Sequence, residues 1–336
     1  MAKTPWKEER RTVGDADLVV LLVNPTAGGG AAAGIARQAV HTFAGLGLEA
    51  VTGSAVGAEA TGAAVRETLA ELTGKGRRPR GLVAVGGDGT VRLAAGIAAE
   101  TGLPLGIVPA GTGNGAAYSL GLPLDAWAAC RVVAHGRPEP CDLGRLEFGL
   151  ETSPGPASER RSVPFLNVAG AGLDAAITQA YQEFALGVRG VPGYVIATLR
   201  SLATYGPVPL RLEFDGQALE LEVLLVAVGN GSVYGKGLRI VPSASPSDGL
   251  LDVCVVLAAG LAEVSSLVAL LLVGRHTGHP RVRTFQAREV ILRAAPGLLR
   301  VVRVHADGDL VGELPVRFSV LPGGISVFRS GAGRRV

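Results

Sequence analysis

From Asp17 to about His135, short apolar runs alternate with alanine-rich stretches of helical period. Residues 18–23 are apolar at every position, as expected of a strand buried on both faces, and residues 31–46 follow as its helix. A weaker strand at 49–51 precedes a helix over 59–72, and residues 81–85 and 105–108 supply two more buried strands. This βαβα rhythm predicts a parallel sheet with helices on both faces, where ligands sit at the carboxyl ends of strands. After Asp142 the pattern changes. Residues 210–214 alternate apolar and polar, Asp215-Gly216 supplies a hairpin turn, and 219–223 alternate back into the apolar run 224–228. Further strands are predicted at 251–257, 290–293, 299–305 and 314–320, with helices at 174–184, 194–204 and 261–273. The second half therefore reads as antiparallel sheet. Residues 151–163, with two prolines and mixed charge, read as an exposed loop.

Composition supports a large folded chain. Of 336 residues, 48% are hydrophobic and 18% charged, which excludes general disorder and suits two domains. A net charge of +3 without a Lys/Arg run excludes a nucleic-acid partner. Cys130, Cys141 and Cys254 lack zinc-like spacing and leave an odd count, so a reduced, cytoplasmic protein is expected. The first sixteen residues lack the apolar core of a secretory signal. The most hydrophobic stretch, 250–274, contains Asp252 and Glu263, and its parts are too short to span a bilayer.

The chemistry is concentrated in turns. Gly86-Gly87-Asp88-Gly89-Thr90 ends one strand and leads straight into a helical segment, so glycine backbone and helix amides suit a phosphate while Asp88 brings a carboxylate to it. Asn24-Pro25-Thr26-Ala27-Gly28-Gly29-Gly30 ends the first strand, and Pro109-Ala110-Gly111-Thr112-Gly113-Asn114-Gly115 ends the fourth. Three such loops at neighbouring strand ends point to a nucleotide site. None has the Lys-Ser/Thr ending of a Walker A loop or the spacing of a dinucleotide fingerprint. Phosphoryl transfer fits, because its loose transition state demands mainly positioning and charge neutralisation.

These motifs resemble the diacylglycerol kinase catalytic family, which includes soluble bacterial lipid kinases and the sphingosine and ceramide kinases. The likeness runs from about Leu18 to Phe328. It includes Phe165-Leu166-Asn167-Val168-Ala169-Gly170, Pro242-x-Ala244-x3-Asp248-Gly249-Leu250-Leu251-Asp252 and Asp307-Gly308-Asp309 downstream. The resemblance implies a Rossmann-like α/β nucleotide domain over 17–138 and a β-sandwich-type lipid domain over 139–321, with residues 322–333 packed back on the first. It implies ATP contacts at Asn24, Pro25, Thr26, Ala27, Gly28, Gly87, Asp88, Gly89, Thr90 and Thr112, with Thr52 a looser match. It implies Mg2+ at the turn of Asp248, with backbone carbonyls from Ser245 and Leu250, a hard-cation donor set. Asp142 matches a further acidic position near the cleft, or caps a linker. Diacylglycerol is the first expected substrate, reached by transient contact with the membrane surface around residues 186–192; a homodimer is compatible with the sequence.

The chain also departs from the family. The usual glutamate base after the C-terminal Asp-Gly is here Asp309, one methylene shorter, with Glu313 as an alternative. The family's Asn-Glu is Arg92-Leu93, and its Asn-Asp-Phe-Ala is Asn114-Gly115-Ala116-Ala117. Two other readings follow from the same turns: an NAD kinase-like phosphotransferase, which shares Gly-Gly-Asp-Gly-Thr, and a nucleotide or lipid sensor without turnover.

Overall fold

The computed structural model describes residues 17–150, 160–184, 191–234 and 237–330. The first layer is the expected parallel sheet. β1 (Leu18–Val23) lies between β2 (Glu49–Ser54) and β3 (Gly81–Gly86), and β4 (Leu105–Pro109) extends the sheet beyond β3. All residues of β1, β3 and β4 are buried, because α1 (Ala31–Gly45), α2 (Ala58–Gly74), α3 (Asp88–Thr101) and α5 (Ala126–His135) cover the faces. α4 (Gly115–Ser119) is a single short turn after β4. β2 is the exposed edge, which is why its apolar signal is weak.

The second layer is mostly antiparallel: β5 (Arg137–Phe148), β6 (Arg161–Phe165), β7 (Val168–Gly172), β8 (Val208–Phe214), β9 (Gln217–Gly229), β10 (Leu251–Leu257), β11 (Val282–Ala287), β12 (Glu289–Ala294), β13 (Arg303–Ala306), β14 (Asp309–Glu313) and β15 (Val316–Arg329). The β8–β9 hairpin turns at Asp215 and Gly216, both at positive φ, as a tight two-residue turn requires. α6 (Leu173–Phe184), α7 (Val191–Thr204) and α8 (Leu261–Leu272) pack outside the strands. This α/β layer followed by a β-sandwich-like layer is the predicted fold class.

Three sequence expectations are corrected. Residues 161–163 belong to strand β6 rather than a loop, and residues 151–159 lie outside the described residues. The strand expected at 299–305 begins only at Arg303, with Leu299 fully in solvent. The strand expected at 314–320 instead runs on to Arg329 as β15. Of the segment suggested for membrane contact, residues 186–190 also lie outside the described residues. No helix among the described residues is long and apolar enough to cross a membrane.

β15 joins the layers. Its first half pairs with β12, its second half pairs in parallel with β4 through Val327↔Leu105, and β5 follows it antiparallel along both halves. Ile325, Val327 and Phe328 are buried in the core of the first layer. The register shifts between Leu321 and Ile325, where the Gly323 amide donates to the Asp142 carboxylate at 2.7 Å. Asp142 also accepts from Gly249 at 2.7 Å, so it is a buried clamp inside β5 rather than a linker cap.

Candidate active site

The three glycine loops meet at the carboxyl ends of β1, β3 and β4. The first is shaped by Asn24, whose Oδ1 accepts from the Thr26 amide at 3.2 Å and hydroxyl at 2.8 Å, while Gly28–Gly30 run at φ of 60°, 70° and 96°. In the third loop, Asn114 staples the backbone by accepting from the Gly111 amide at 2.9 Å and donating to its carbonyl at 3.0 Å. The second and third loops touch backbone to backbone: a Cβ on Gly111 would sit 2.3 Å from Gly87 Cα. Gly111→Ala is therefore expected to force the loops apart and destabilise the fold by about 1–3 kcal/mol, read as a lowered Tm in thermal unfolding.

Asp88 opens α3 with its side chain turned toward the next loop. Its Oδ1 accepts from the Ala116 amide at 3.0 Å, and the Gly115 and Asn114 amides also face it, so the carboxylate caps the first turn of α4. Burial raises its carboxyl above the ordinary range; the three amides oppose the rise and Asp309 adds to it. Asp309, at the start of β14, comes from the other layer. Its Oδ2 lies only 2.6 Å from where a Cβ on Gly89 would be, so the bare helix terminus is what lets the carboxylate approach. Arg92 Nη2 donates to Asp309 Oδ2 at 2.8 Å.

Two residues earlier, Asp307 adopts a positive φ of 48° and fixes this turn. Its carboxylate accepts from the amides of Leu166 at 2.8 Å, Asn167 at 2.9 Å and Val168 at 3.1 Å. Burial pushes its carboxyl up to about 6; the Leu166 and Asn167 amides and Arg92 pull against this, and Asp88 reinforces it. Asn167 also accepts from the Ser119 hydroxyl at 2.6 Å, which ties α4 to the second layer. Behind the turn, buried His305 Nε2 lies 2.9 Å from Asp174 Oδ2 and 3.1 Å from the Tyr234 hydroxyl, anchoring β13 to α6.

A cavity of about 260 Å³ opens between these groups. Asn24, Ala27, Gly87, Gly89, Thr90 and Asp309 line it, together with Leu22, Ala58, Thr61 and Leu93. Asp88 lies alongside, within the field of Asp309. Pro25, Thr26 and Gly28 belong to the first loop, and Thr112 is exposed in the third. Thr52 is exposed on β2 and is absent from the lining, where Thr61 of α2 stands instead. Ser245, Asp248 and Leu250 form a separate turn, in which Asp248 Oδ1 accepts from the Leu250 amide at 3.0 Å. Glu313 is exposed at the far end of β14.

In the sequence Asp307 and Asn167 stand out only as parts of motifs, and Arg92 only as a departure from the family pattern. Their positions depend on β7 and β13 pairing across a long separation, which local pattern does not encode. All three cysteines are free and buried, and burial pushes each thiol up to about 12, away from the thiolate form that reacts.

Residues 18–146 match the diacylglycerol kinase catalytic domain, and residues 167–329 match the YegS C-terminal NAD kinase beta sandwich-like domain. The diacylglycerol kinase of Mycobacterium tuberculosis (strain ATCC 25618 / H37Rv) is 34% identical over 315 residues, covering 93% of this chain and 94% of that protein. The diacylglycerol kinase of Staphylococcus saprophyticus is 30% identical over 252 residues, covering 74% and 76%. A solved chain from Bacillus anthracis str. Sterne shares the fold with a TM-score of 0.71 at 21% identity, covering 98% of this chain and 99% of that one. A second, described as a diacylglycerol kinase, has a TM-score of 0.63 at 21% identity, covering 94% and 98%.

Proposed function

The chain belongs to the diacylglycerol kinase family and is a kinase, and from that premise we propose that it transfers the γ-phosphoryl group of ATP to diacylglycerol, giving phosphatidic acid. The observation that supports this most is the meeting of Asp88 and Asp309, one from each layer, beside a cavity walled by glycine loops. The loops present backbone amides and helix termini to the phosphates. Asp309, partly exposed on the cavity wall, takes the proton of the acceptor hydroxyl. That oxygen bonds to the γ-phosphorus while the bond to the bridging oxygen breaks and ADP leaves. Asp88, pinned by the α4 amides, organises the reacting groups.

ATP would enter with Mg2+, which neutralises phosphate charge when bound. A further Mg2+ suits the Asp248 turn. Its donors are all oxygen, one exposed carboxylate with the Ser245 and Leu250 carbonyls, and Asp142 already fixes the turn through Gly249. No group of three or more His, Cys, Asp or Glu residues suited to a metal occurs among the described residues, so backbone carbonyls would have to complete the site. A diacylglycerol substrate places the reaction at a membrane surface, met from outside the bilayer.

The purified chain, incubated with ATP, Mg2+ and vesicles carrying diacylglycerol, monoacylglycerol, ceramide or a sphingoid base, is expected to label diacylglycerol. Labelling of another lipid would move the substrate. Phosphorylation of NAD in a parallel arm, or ATP binding with no product anywhere, would overturn the proposal.

A further inference from the structure

Arg92 follows Asp88 by one helical turn of α3, and its side chain is only 18% exposed. Nη2 is spent on Asp309, while Nε is buried with no hydrogen-bond partner among the described residues. The same guanidinium bears electrostatically on Asp307. Two carboxylates, Asp309 and Asp307, thus face one cation, and Asp88 bears electrostatically on both of them. No lysine or arginine is among the described residues lining the cavity; Arg92 is joined to it through Asp309, which does line it.

The Arg92–Asp309 pair is balanced without ligand and unbalanced with one. A polyphosphate brought to the loops would face the Asp309 carboxylate across a small cavity, and like charges at that range repel strongly where water is scarce. Arg92 can relieve this without moving its backbone. Its planar fork has donors left over after Nη2, and a phosphoryl group offers more acceptor oxygens than the carboxylate it displaces.

We propose that Arg92 is a phosphoryl-binding cation that pairs with Asp309 in the free protein and passes to the terminal phosphoryl group of bound nucleotide, leaving Asp309 free for the acceptor hydroxyl. The inference rests on the reading of Asp309 as proton acceptor in the function proposed above. In the transfer, the acceptor O–H gives its proton to Asp309, the oxygen bonds to the γ-phosphorus, and the electron pair of the broken P–O bond leaves with ADP. Arg92 holds the equatorial oxygens throughout and exchanges no proton.

The test compares binding of Mg2+–AMP-PNP and Mg2+–ADP to the full chain by titration calorimetry, because only the first has a terminal phosphoryl group at the γ position. Arg92→Gln is expected to weaken AMP-PNP on the order of tenfold or more while leaving ADP within about twofold. Asp309→Asn, which frees Arg92, is expected to tighten AMP-PNP by several-fold. Arg92→Lys keeps the charge and loses the fork, so it reads the same ratio with a smaller loss should Arg92→Gln fail to fold. Equal weakening of both nucleotides, no change in either, or weaker AMP-PNP binding by Asp309→Asn would overturn the assignment. A γ-specific loss without phosphorylation of any lipid would remove the proposed function and leave the role of Arg92 intact. Failure of the unaltered chain to bind either nucleotide would remove both.

Discussion

Asp88→Asn is expected to abolish lipid phosphorylation and, at about pH 7.5, to raise the melting temperature. The loss of turnover should be on the order of a thousandfold, the scale of removing a positioned acid–base or electrostatic group. The gain in stability follows from burial. Asp88 has its carboxyl raised in the folded protein, chiefly by desolvation and further by Asp309. The sign is fixed by linkage: a group with a raised folded pKa is protonated in both states at low pH, and stability is lost as pH rises through the folded value. Asparagine keeps an oxygen for the Ala116 amide and discards the buried charge. Asp307, pushed up to about 6 in part by Asp88, is relieved by the same change. Thermal melts should show a gap of a few degrees at about pH 7.5, closing below about pH 4 where both proteins are neutral at this position. A lower melting temperature for the variant at about pH 7.5 would mean that the α4 amides outweigh burial.

Asp309 and Glu313 give the second large contrast. They stand at opposite ends of β14, four residue steps or roughly 13 Å apart along the strand, so one carboxylate cannot serve for the other. Asp309→Asn is expected to lower kcat by on the order of a hundredfold to ten-thousandfold, whereas Glu313→Gln should stay within about twofold. Asp309→Glu should retain more activity than the amide, since it preserves the proton acceptor while misplacing it. Initial rates with saturating ATP and diacylglycerol in mixed micelles would separate these outcomes. A Glu313→Gln defect as large as that of Asp309→Asn would remove Asp309 as the base.

Much of this arrangement was legible in the chain because it is local. The Gly86–Thr90 turn follows an unbroken apolar strand and precedes a helix, and both elements occur where the pattern places them. The Asp215-Gly216 hairpin is equally local. What stayed hidden depends on distance. Arg92 looked like a polar group lost from the nucleotide loops, and Asp309 like a shortened base. They are in fact partners across more than two hundred residues, so the two departures answer each other through a salt bridge. Asp307 was hidden for a related reason: its three amide donors come from Leu166, Asn167 and Val168, brought to it by strand pairing. Thr52 is exposed on the edge strand β2 and is not among the residues lining the cavity. β5 and β6 were missed where charge and proline diluted the alternation.

The course of β15 also bears on how the protein is made. β4 has its outer edge open until Val327 is available to pair with it, and Phe328 fills space beneath Gly81 in a layer whose other strands are complete by Pro109. At ribosomal rates of about 5–20 residues per second, that edge waits on the order of 10–40 s for its neighbour. During that interval an early nucleotide layer with an unpaired strand is exposed to chaperones, proteases and its own copies. A cell that stalls late in translation would therefore release not a functional first half but an aggregation-prone one.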